Sequence, residues 1–210
     1  MNNYVITIAR GYGSGGRTIG KMLAEALNIN YYDRDLLKLA SDDSGINESL
    51  FAKADETAEH SLLYSIAKKV YKGQIIPPDR DDFISNENLF NYQAKIIKEL
   101  AQKESCVIVG RCADFVLKDY DNVLRIFVHA PLEDCMKTVE ALNICSKRQS
   151  KNYIQTIDKR RAAYYHYFTG RDWKDADNYD LCLNTSHLNW EQCIELVKAY
   201  IQIKFPDASI

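Results

Sequence analysis

The stretch that most limits what this chain can become is VITIARGYGSGGRTIGKMLAEAL, from Val5 to Leu27. An apolar run enters a segment with five glycines in ten residues, Gly11 to Gly20. It leaves as an amphipathic helix with Ile19, Met22, Leu23, Ala26 and Leu27 on one face. A strand, a glycine turn and a helix in that order aim consecutive backbone N–H groups and the positive end of the helix at one point. That point is a natural seat for phosphate.

Two phosphate-binding templates fit these glycines. Gly11, Gly13 and Gly16 match G-x-G-x-x-G, the dinucleotide fingerprint, and Asp33 stands where a ribose-binding acid would follow. Gly11, Gly16, Arg17 and Thr18 match G-x-x-x-x-G-K-[ST], with arginine in place of lysine. The triphosphate template fits better. The strand, expected over Tyr4–Ala9, stops short of Gly11 and leaves room for a wide loop. Thr18 stands where a hydroxyl would bind Mg²⁺. A dinucleotide fold would also reach its third strand after one short helix, whereas here residues 35–105 contain no convincing strand. In this reading Gly11, Gly13, Ser14, Gly15, Gly16 and Thr18 cradle the phosphates of ATP, and Arg17 neutralises them. A purely structural tight turn is the remaining alternative. Arg17 is larger and planar compared with lysine and reaches differently. Lys21, one helical turn on, reads as a surface residue.

Four apolar runs read as buried strands: Tyr4–Ala9, Cys106–Val109, Val123–His129 and Tyr179–Leu183, with Asn30–Tyr32 as a weaker fifth. Runs of this kind suit a parallel sheet covered on both faces. Helical spacing fills Arg17–Leu27, Leu89–Leu100, Glu133–Leu142 and Trp190–Ile203. Alternating strand and helix give an α/β sandwich with right-handed crossovers. Residues 35–105 read as helices broken at SDDSG (41–45) and GQIIPPDRDD (73–82). The segment ICSKRQSKN (144–152) reads as irregular, polar and basic. Both look like insertions at the sheet edge where ligands bind in such folds.

With 210 residues and 46% apolar composition the chain can bury one sizeable core. A net charge of −2 gives no basic field for nucleic acid. No apolar run approaches the roughly 20 residues of a membrane span. The opening MNNYVITIAR reads as a strand and not as a secretion signal, and the six cysteines form no C-x-x-C pair. A reduced, cytoplasmic protein is expected, with Cys106 and Cys182 as small buried hydrophobes. Homo-oligomerisation is left open.

The pieces GSGGRTIGKMLAEALNINYYDRDLL (13–37), CVIVGRCADFVL (106–117), DKRRAAYYHYFTGRDW (158–173) and NYDLCLNTS (178–186) resemble the cytidylate kinase-like family, relatives of the P-loop nucleoside monophosphate kinases. In that family an arginine in the phosphate loop is habitual. The resemblance implies a P-loop NTPase three-layer sandwich: a five-stranded parallel sheet, a helical acceptor-binding insertion (about 35–105) and a lid (144–161). It also implies ATP-dependent phosphotransfer. Cytidylate kinases proper carry Asp-Gly-Arg-Asp after the third strand, whereas this chain has Val109-Gly110-Arg111-Cys112. Asp33-Arg34-Asp35 replaces their Asp-Ser-Gly. The departures lie on the acceptor side.

Asp33 is expected at the end of the second strand, on the ligand edge. It suits acceptor positioning, Mg²⁺ organisation through water, or general base catalysis, against an N-cap or turn acid. Asp35 reads as an N-terminal helix acid. Arg111 leaves the third strand on the same edge and suits phosphate binding, against a structural ion pair, with Asp114 orienting it or capping a helix. The strand–Asp pattern that usually holds Mg²⁺ is missing, so Mg²⁺ would rest on Thr18, the phosphates and water. Lys147, Arg148, Lys151, Lys159, Arg160 and Arg161 suit a closing lid. Arg160 and Arg161 point about 100° apart on a helix, so one of them faces the site, and the resemblance favours Arg161. Gln93 could hold an acceptor base or bridge helices, and Thr185 and Ser186 lie near the expected adenine. Tyr164, Tyr165, Tyr167 and Phe168 read as helix packing. The expected activity is transfer of a γ-phosphoryl to a nucleotide or small acceptor. The alternatives are a small-molecule hydroxyl kinase with Asp33 as base, a non-catalytic nucleotide-binding regulator and, more distantly, a dinucleotide oxidoreductase.

Overall fold

The computed structural model describes residues 3–57, 73–144 and 146–208. Strands β1 (Val5–Arg10), β2 (Asn30–Tyr32), β3 (Cys106–Val109), β4 (Val123–His129) and β5 (Leu181–Asn184) form one parallel sheet in the order β2-β3-β1-β4-β5. The first strand is central because its residues are apolar on both faces. Val5 and Ala9 enter one core, and Ile6 and Ile8 the other. The same alternation continues in β3 (Cys106 and Ile108 against Val107 and Val109).

Helices α1 (Gly16–Leu27) and α8 (Trp190–Lys204) cover one face through Ile19, Leu23, Ile194, Val197 and Ile201. The other face meets α2 (Asp35–Ser44), α3 (Glu48–Thr57), α4 (Asn86–Lys103), α5 (Ala113–Val116) and the C-terminal part of α7 (Lys147–Thr169). Phe90 stacks on Phe168, centroids 4.1 Å apart, and ties α4 to α7. Tyr164, Tyr165 and Phe168 of α7 pack in this core, and Tyr164 and Tyr165 also border the cavity described below. Each fully buried large side chain contributes about 1.5–3 kcal/mol of transfer free energy. A third, smaller cluster joins α6 (Leu132–Ala141) to the start of α7 through Cys135, Val139 and Ile154. Of the expected insertion, residues 58–72 lie outside the described residues, as does Cys145.

Four expectations are corrected. Strand β1 runs to Arg10, directly before Gly11, because pairing with β4 continues through Arg10 and Val128. The last strand begins at Leu181, not Tyr179: Asp180 turns its N–H to the Arg125 carbonyl (2.8 Å) and its carboxylate to the Arg125 N–H (2.8 Å). Helix α7 starts at Lys147, so 147–152 is helical and not irregular. Only its Ser150–Ile154 edge meets α6, which leaves the rest polar. Cys182 is exposed, because β5 is an edge strand and Leu183 is the residue it buries.

In this sheet β1 sits between β3 and β4, and the chain leaves it in one direction toward β2 and later returns in the other toward β5. Ligands bind in such folds at the carboxyl ends of strands flanking that reversal. The glycine loop, Asp33 and Gly110-Arg111 all follow carboxyl ends there.

Candidate active site

The loop between β1 and α1 is fixed from behind by groups that are themselves buried. Gly11 N–H donates to the Val128 carbonyl at 2.9 Å. The Ser14 hydroxyl, almost fully buried, lies 2.8 Å from the Gly11 carbonyl and 3.1 Å from the Val128 carbonyl. Thr185 Oγ1 donates to the Ser14 carbonyl at 2.9 Å. Ser14 therefore braces the loop through its side chain, and Thr185 stands behind the loop without lining the cavity. Gly13 and Gly15 take φ of +80° and +84°, where side chains are strained. A Cβ on Gly13 would lie 2.7 Å from the Cys135 carbonyl oxygen of α6.

Helix α7 clamps the loop from the other side. Asp158 Oδ1 accepts the Tyr12 N–H at 2.8 Å, and burial pushes the Asp158 carboxyl pKa up. Arg161 Nη1 donates to the Arg10 carbonyl at 2.9 Å and lies 3.4 Å from Asp158 Oδ1. Neither Asp158 nor Arg10 was singled out from the sequence. The signals were an Asp-x-x-Arg pair on one helix face and an arginine closing an apolar strand.

Asp33 is buried at the mouth of β2 and binds Arg17 through Nε at 2.5 Å and through Nη2. The N-cap of α2 is Arg34, so Asp33 is not a capping acid. Burial works against the Arg17 charge, but the hydrogen bond and charge of Asp33 outweigh it, and the Arg17 pKa is raised. On the far side Gly110, Arg111 and Cys112 have φ of +80°, +59° and +52°. A non-glycine residue in this region costs about 1–2 kcal/mol. Strain of this kind persists where the surroundings impose it, typically at functional sites. Asp114 accepts a hydrogen bond from Tyr165 at 2.6 Å, and burial pushes its carboxyl up to about 6.

These groups line one cavity of about 1250 Å³. Gly11, Gly13, Gly15, Gly16, Arg17, Thr18, Asp33, Arg111 and Arg161 all border it. Six arginines border it (Arg10, Arg17, Arg34, Arg111, Arg160 and Arg161), with no lysine among the described residues, against Asp33, Glu48 and Asp114. Arg160 lines it together with Arg161. Lys147, Arg148, Lys151 and Lys159 are exposed and do not. Gln93 is buried in α4 away from the cavity, and its Oε1 has no hydrogen-bond partner. Lys21 is a surface residue 3.9 Å from Glu25.

The electrostatics ask for an anion. Burial lowers the pKa of Arg111 and Arg161, and pushes Arg10 down to about 9 with Arg161 as the next cause. All three stay charged at neutral pH, but the charge is held at a cost that a bound anion removes. The donor set fits a polyphosphate: loop amides, the N-terminus of α1 and the guanidinium cluster converge. Among the described residues no cluster of three or more His, Cys, Asp or Glu side chains is placed to hold a metal. The Thr18 hydroxyl, in the first turn of α1, suits Mg²⁺, which keeps several waters and takes the rest of its shell from phosphate oxygens.

The model of the cytidylate kinase-like family matches residues 5–187. The chain belongs to the cytidylate kinase-like family. It is 27% identical over 206 residues to a cytidylate kinase of Archaeoglobus fulgidus, covering 95% of each chain. It is 25% identical to one of Methanopyrus kandleri, covering 94% of this chain and 92% of the relative. A solved structure of an uncharacterised protein from Eubacterium ventriosum superposes with a TM-score of 0.69 at 25% identity, covering 95% of this chain and 99% of that one. Shikimate kinase from Bacteroides thetaiotaomicron shares the fold at a TM-score of 0.54 and 12% identity, covering 95% and 98%. The expected α/β architecture is thus that of the P-loop kinases, and family and fold together mark a nucleotide or small-molecule kinase. No described helix is long and apolar enough to cross a membrane.

Proposed function

We propose that this member of the cytidylate kinase-like family transfers the γ-phosphoryl of ATP, with Mg²⁺, to an acceptor that is itself a phosphate, of the nucleoside monophosphate type. The observation that carries the reading is the excess of arginine over carboxylate around the cavity, six against three. A neutral hydroxyl acceptor such as a simple sugar gains little from that many guanidinium groups, and an anionic one such as shikimate brings a single charge. A phosphate acceptor is anionic near neutral pH, needs no base, and is repelled by the donor unless cations screen the two.

In this reading the loop amides from Gly11 to Thr18 hold the donor phosphates, and Thr18 would hold Mg²⁺, which would supply positive charge toward them. Arg17, held by Asp33, is pre-oriented to neutralise the donor. Arg111 on the β3 side receives the acceptor phosphate, and Arg161 and Arg160 on α7 close over the transferring group and exclude water. Residues 35–105 bind the acceptor, and 144–161, helical from Lys147, act as the lid. Asp33 serves to hold Arg17 and not as a base, because its Oδ2 is engaged by two nitrogens of Arg17 in a charge-assisted pair.

The test is an ADP-release screen with CMP, dCMP, UMP and AMP beside hydroxyl acceptors such as shikimate and simple sugars. Turnover with a nucleoside monophosphate and none with the hydroxyl compounds supports the reading. Turnover confined to a hydroxyl compound overturns it. ATP binding with no acceptor-dependent ADP release would assign the chain to the non-catalytic regulators.

A further inference from the structure

The side chain of Arg10 is seated against two glycines of this cavity. A Cβ on Gly16 would stand 2.6 Å from Arg10 Cβ and 3.2 Å from its Cγ, so the stem of Arg10 runs beneath the first turn of α1. A Cβ on Gly110 would run into Nη1 and lie 3.2 Å from Cζ and 3.4 Å from Nη2. The guanidinium therefore meets Gly110, at the carboxyl end of β3, with its Nη1 end foremost. Its stem starts on the donor side of the cavity and its head ends on the acceptor side, beside Arg111. Its own carbonyl is engaged by Arg161 (2.9 Å). Among the described residues its side chain makes no hydrogen bond or ion pair, whereas the Arg17 guanidinium is taken by Asp33 and that of Arg161 by Asp158 and the Arg10 carbonyl. Asp33 favours the Arg10 charge at longer range, but that carboxylate is bonded to Arg17, and a half-buried charge with no direct partner is retained only where something else pairs with it.

We propose that Arg10 is a catalytic residue that contacts the phosphoryl group in transit, bridging the donor and acceptor sites from the floor of the cavity. This rests on the phosphotransfer reading above. It predicts that Arg10 acts on the transition state, in which charge spreads over the equatorial oxygens of the moving group. Two glycines leave the space its side chain fills, so a smaller group there leaves a hole that a small cation can enter.

The experiment compares the wild type with Arg10→Lys, Arg10→Met and Arg10→Ala, using the best acceptor from the screen. Expected are a fall in kcat of about 10³-fold for Arg10→Met, a partial fall for Arg10→Lys, and a Kd for Mg-ADP that stays within about threefold. Binding of ADP with aluminium fluoride, a mimic of the moving phosphoryl, should be lost in Arg10→Met although ADP still binds. Free guanidinium ion should restore part of the activity of Arg10→Ala. Unchanged kcat, or unchanged aluminium fluoride binding, overturns the proposal. So does parallel loss of ADP affinity and melting temperature in all three variants without rescue, since that pattern belongs to a structural arginine. If the wild type phosphorylates nothing, the phosphotransfer reading fails first; the aluminium fluoride comparison still reports on Arg10 by itself.

Discussion

Gly13→Ala separates strain from collision in the phosphate loop. Alanine at φ +80° pays the left-handed penalty, about 1–2 kcal/mol. Its Cβ also meets a backbone oxygen, that of Cys135, at 2.7 Å, so the first turn of α6 or the loop itself has to move. Overpacking of this kind adds about 1–3 kcal/mol, for a total near 2–5 kcal/mol. Gly45 is the internal control: its φ is +72°, it caps α2, and an added Cβ meets nothing within 4 Å. Gly45→Ala should cost only the strain, about 1–2 kcal/mol. For a chain of this size each kcal/mol lowers the melting temperature by about 2–4 °C. Differential scanning calorimetry should therefore put Gly13→Ala below Gly45→Ala by several degrees, and titration calorimetry should show Mg-ATP affinity lost at least tenfold in Gly13→Ala and kept in Gly45→Ala. Equal melting temperatures together with intact ATP affinity in Gly13→Ala would refute the claim that the loop conformation is set by this contact.

Asp33→Asn leaves Arg17 without its anion, and a charge-assisted hydrogen bond is worth about 1.5–3 kcal/mol. Loss of about 10–100-fold should appear in kcat/KM with the ATP KM rising alongside. Collapse of kcat with ATP binding intact would point to Asp33 as a base and to a hydroxyl acceptor. Asp180 binds Arg125 and Lys204 at 2.9 Å each, joining β4, the start of β5 and α8. Burial opposes its charge, but those partners win and hold its carboxyl at about 2, below the usual range. Its contribution is therefore present above about pH 4 and lost as pH falls through about 2. Asp180→Asn should cost about 2 kcal/mol at pH 7, and chemical denaturation at pH 2–3 should show the difference shrinking; a pH-independent difference would contradict this. Asp114 has the opposite sign. Its carboxyl is raised to about 6 by burial, so the folded state binds the proton more tightly and the penalty is full above pH 6 and gone below pH 4. Asp114→Asn, which can still accept from Tyr165, should gain up to about 3 kcal/mol at pH 7.5 and nothing at pH 4; destabilisation at pH 7.5 would refute the assignment.

Strands β3 and β4 were legible to the residue because parallel, doubly covered strands are nearly uniform in apolar character and stop where it stops, whereas β2, a three-residue edge strand with Asn30 exposed, carried only a weak signal. The glycine loop was legible because its function needs positive φ and bare amides, which glycine alone supplies freely. Arg10 was missed for the same reason that β1 was read one residue short. A charge at the end of an apolar run looks like the start of a loop, and only the pairing of Arg10 with Val128 and the space left by Gly16 and Gly110 turn it inward. The first turns of α7 were misread because one narrow edge, Ser150 and Ile154, packs on α6 while the rest faces water. Such an edge is too sparse to show a helical period. The Tyr12–Asp158 clamp joins residues far apart in the chain, and the Asp-x-x-Arg spacing marks the helix face without announcing its partner.

The central claim is that the arginine-lined cavity carries a phosphoryl group to another phosphate. Phosphorus NMR of the protein incubated with Mg-ATP and a nucleoside monophosphate follows the group directly. The account predicts loss of the γ-phosphate signal of ATP and growth of the paired signals of a second nucleoside diphosphate, the mark of a new P–O–P anhydride. Growth of a phosphomonoester signal from a hydroxyl acceptor, or of inorganic phosphate alone, would contradict it.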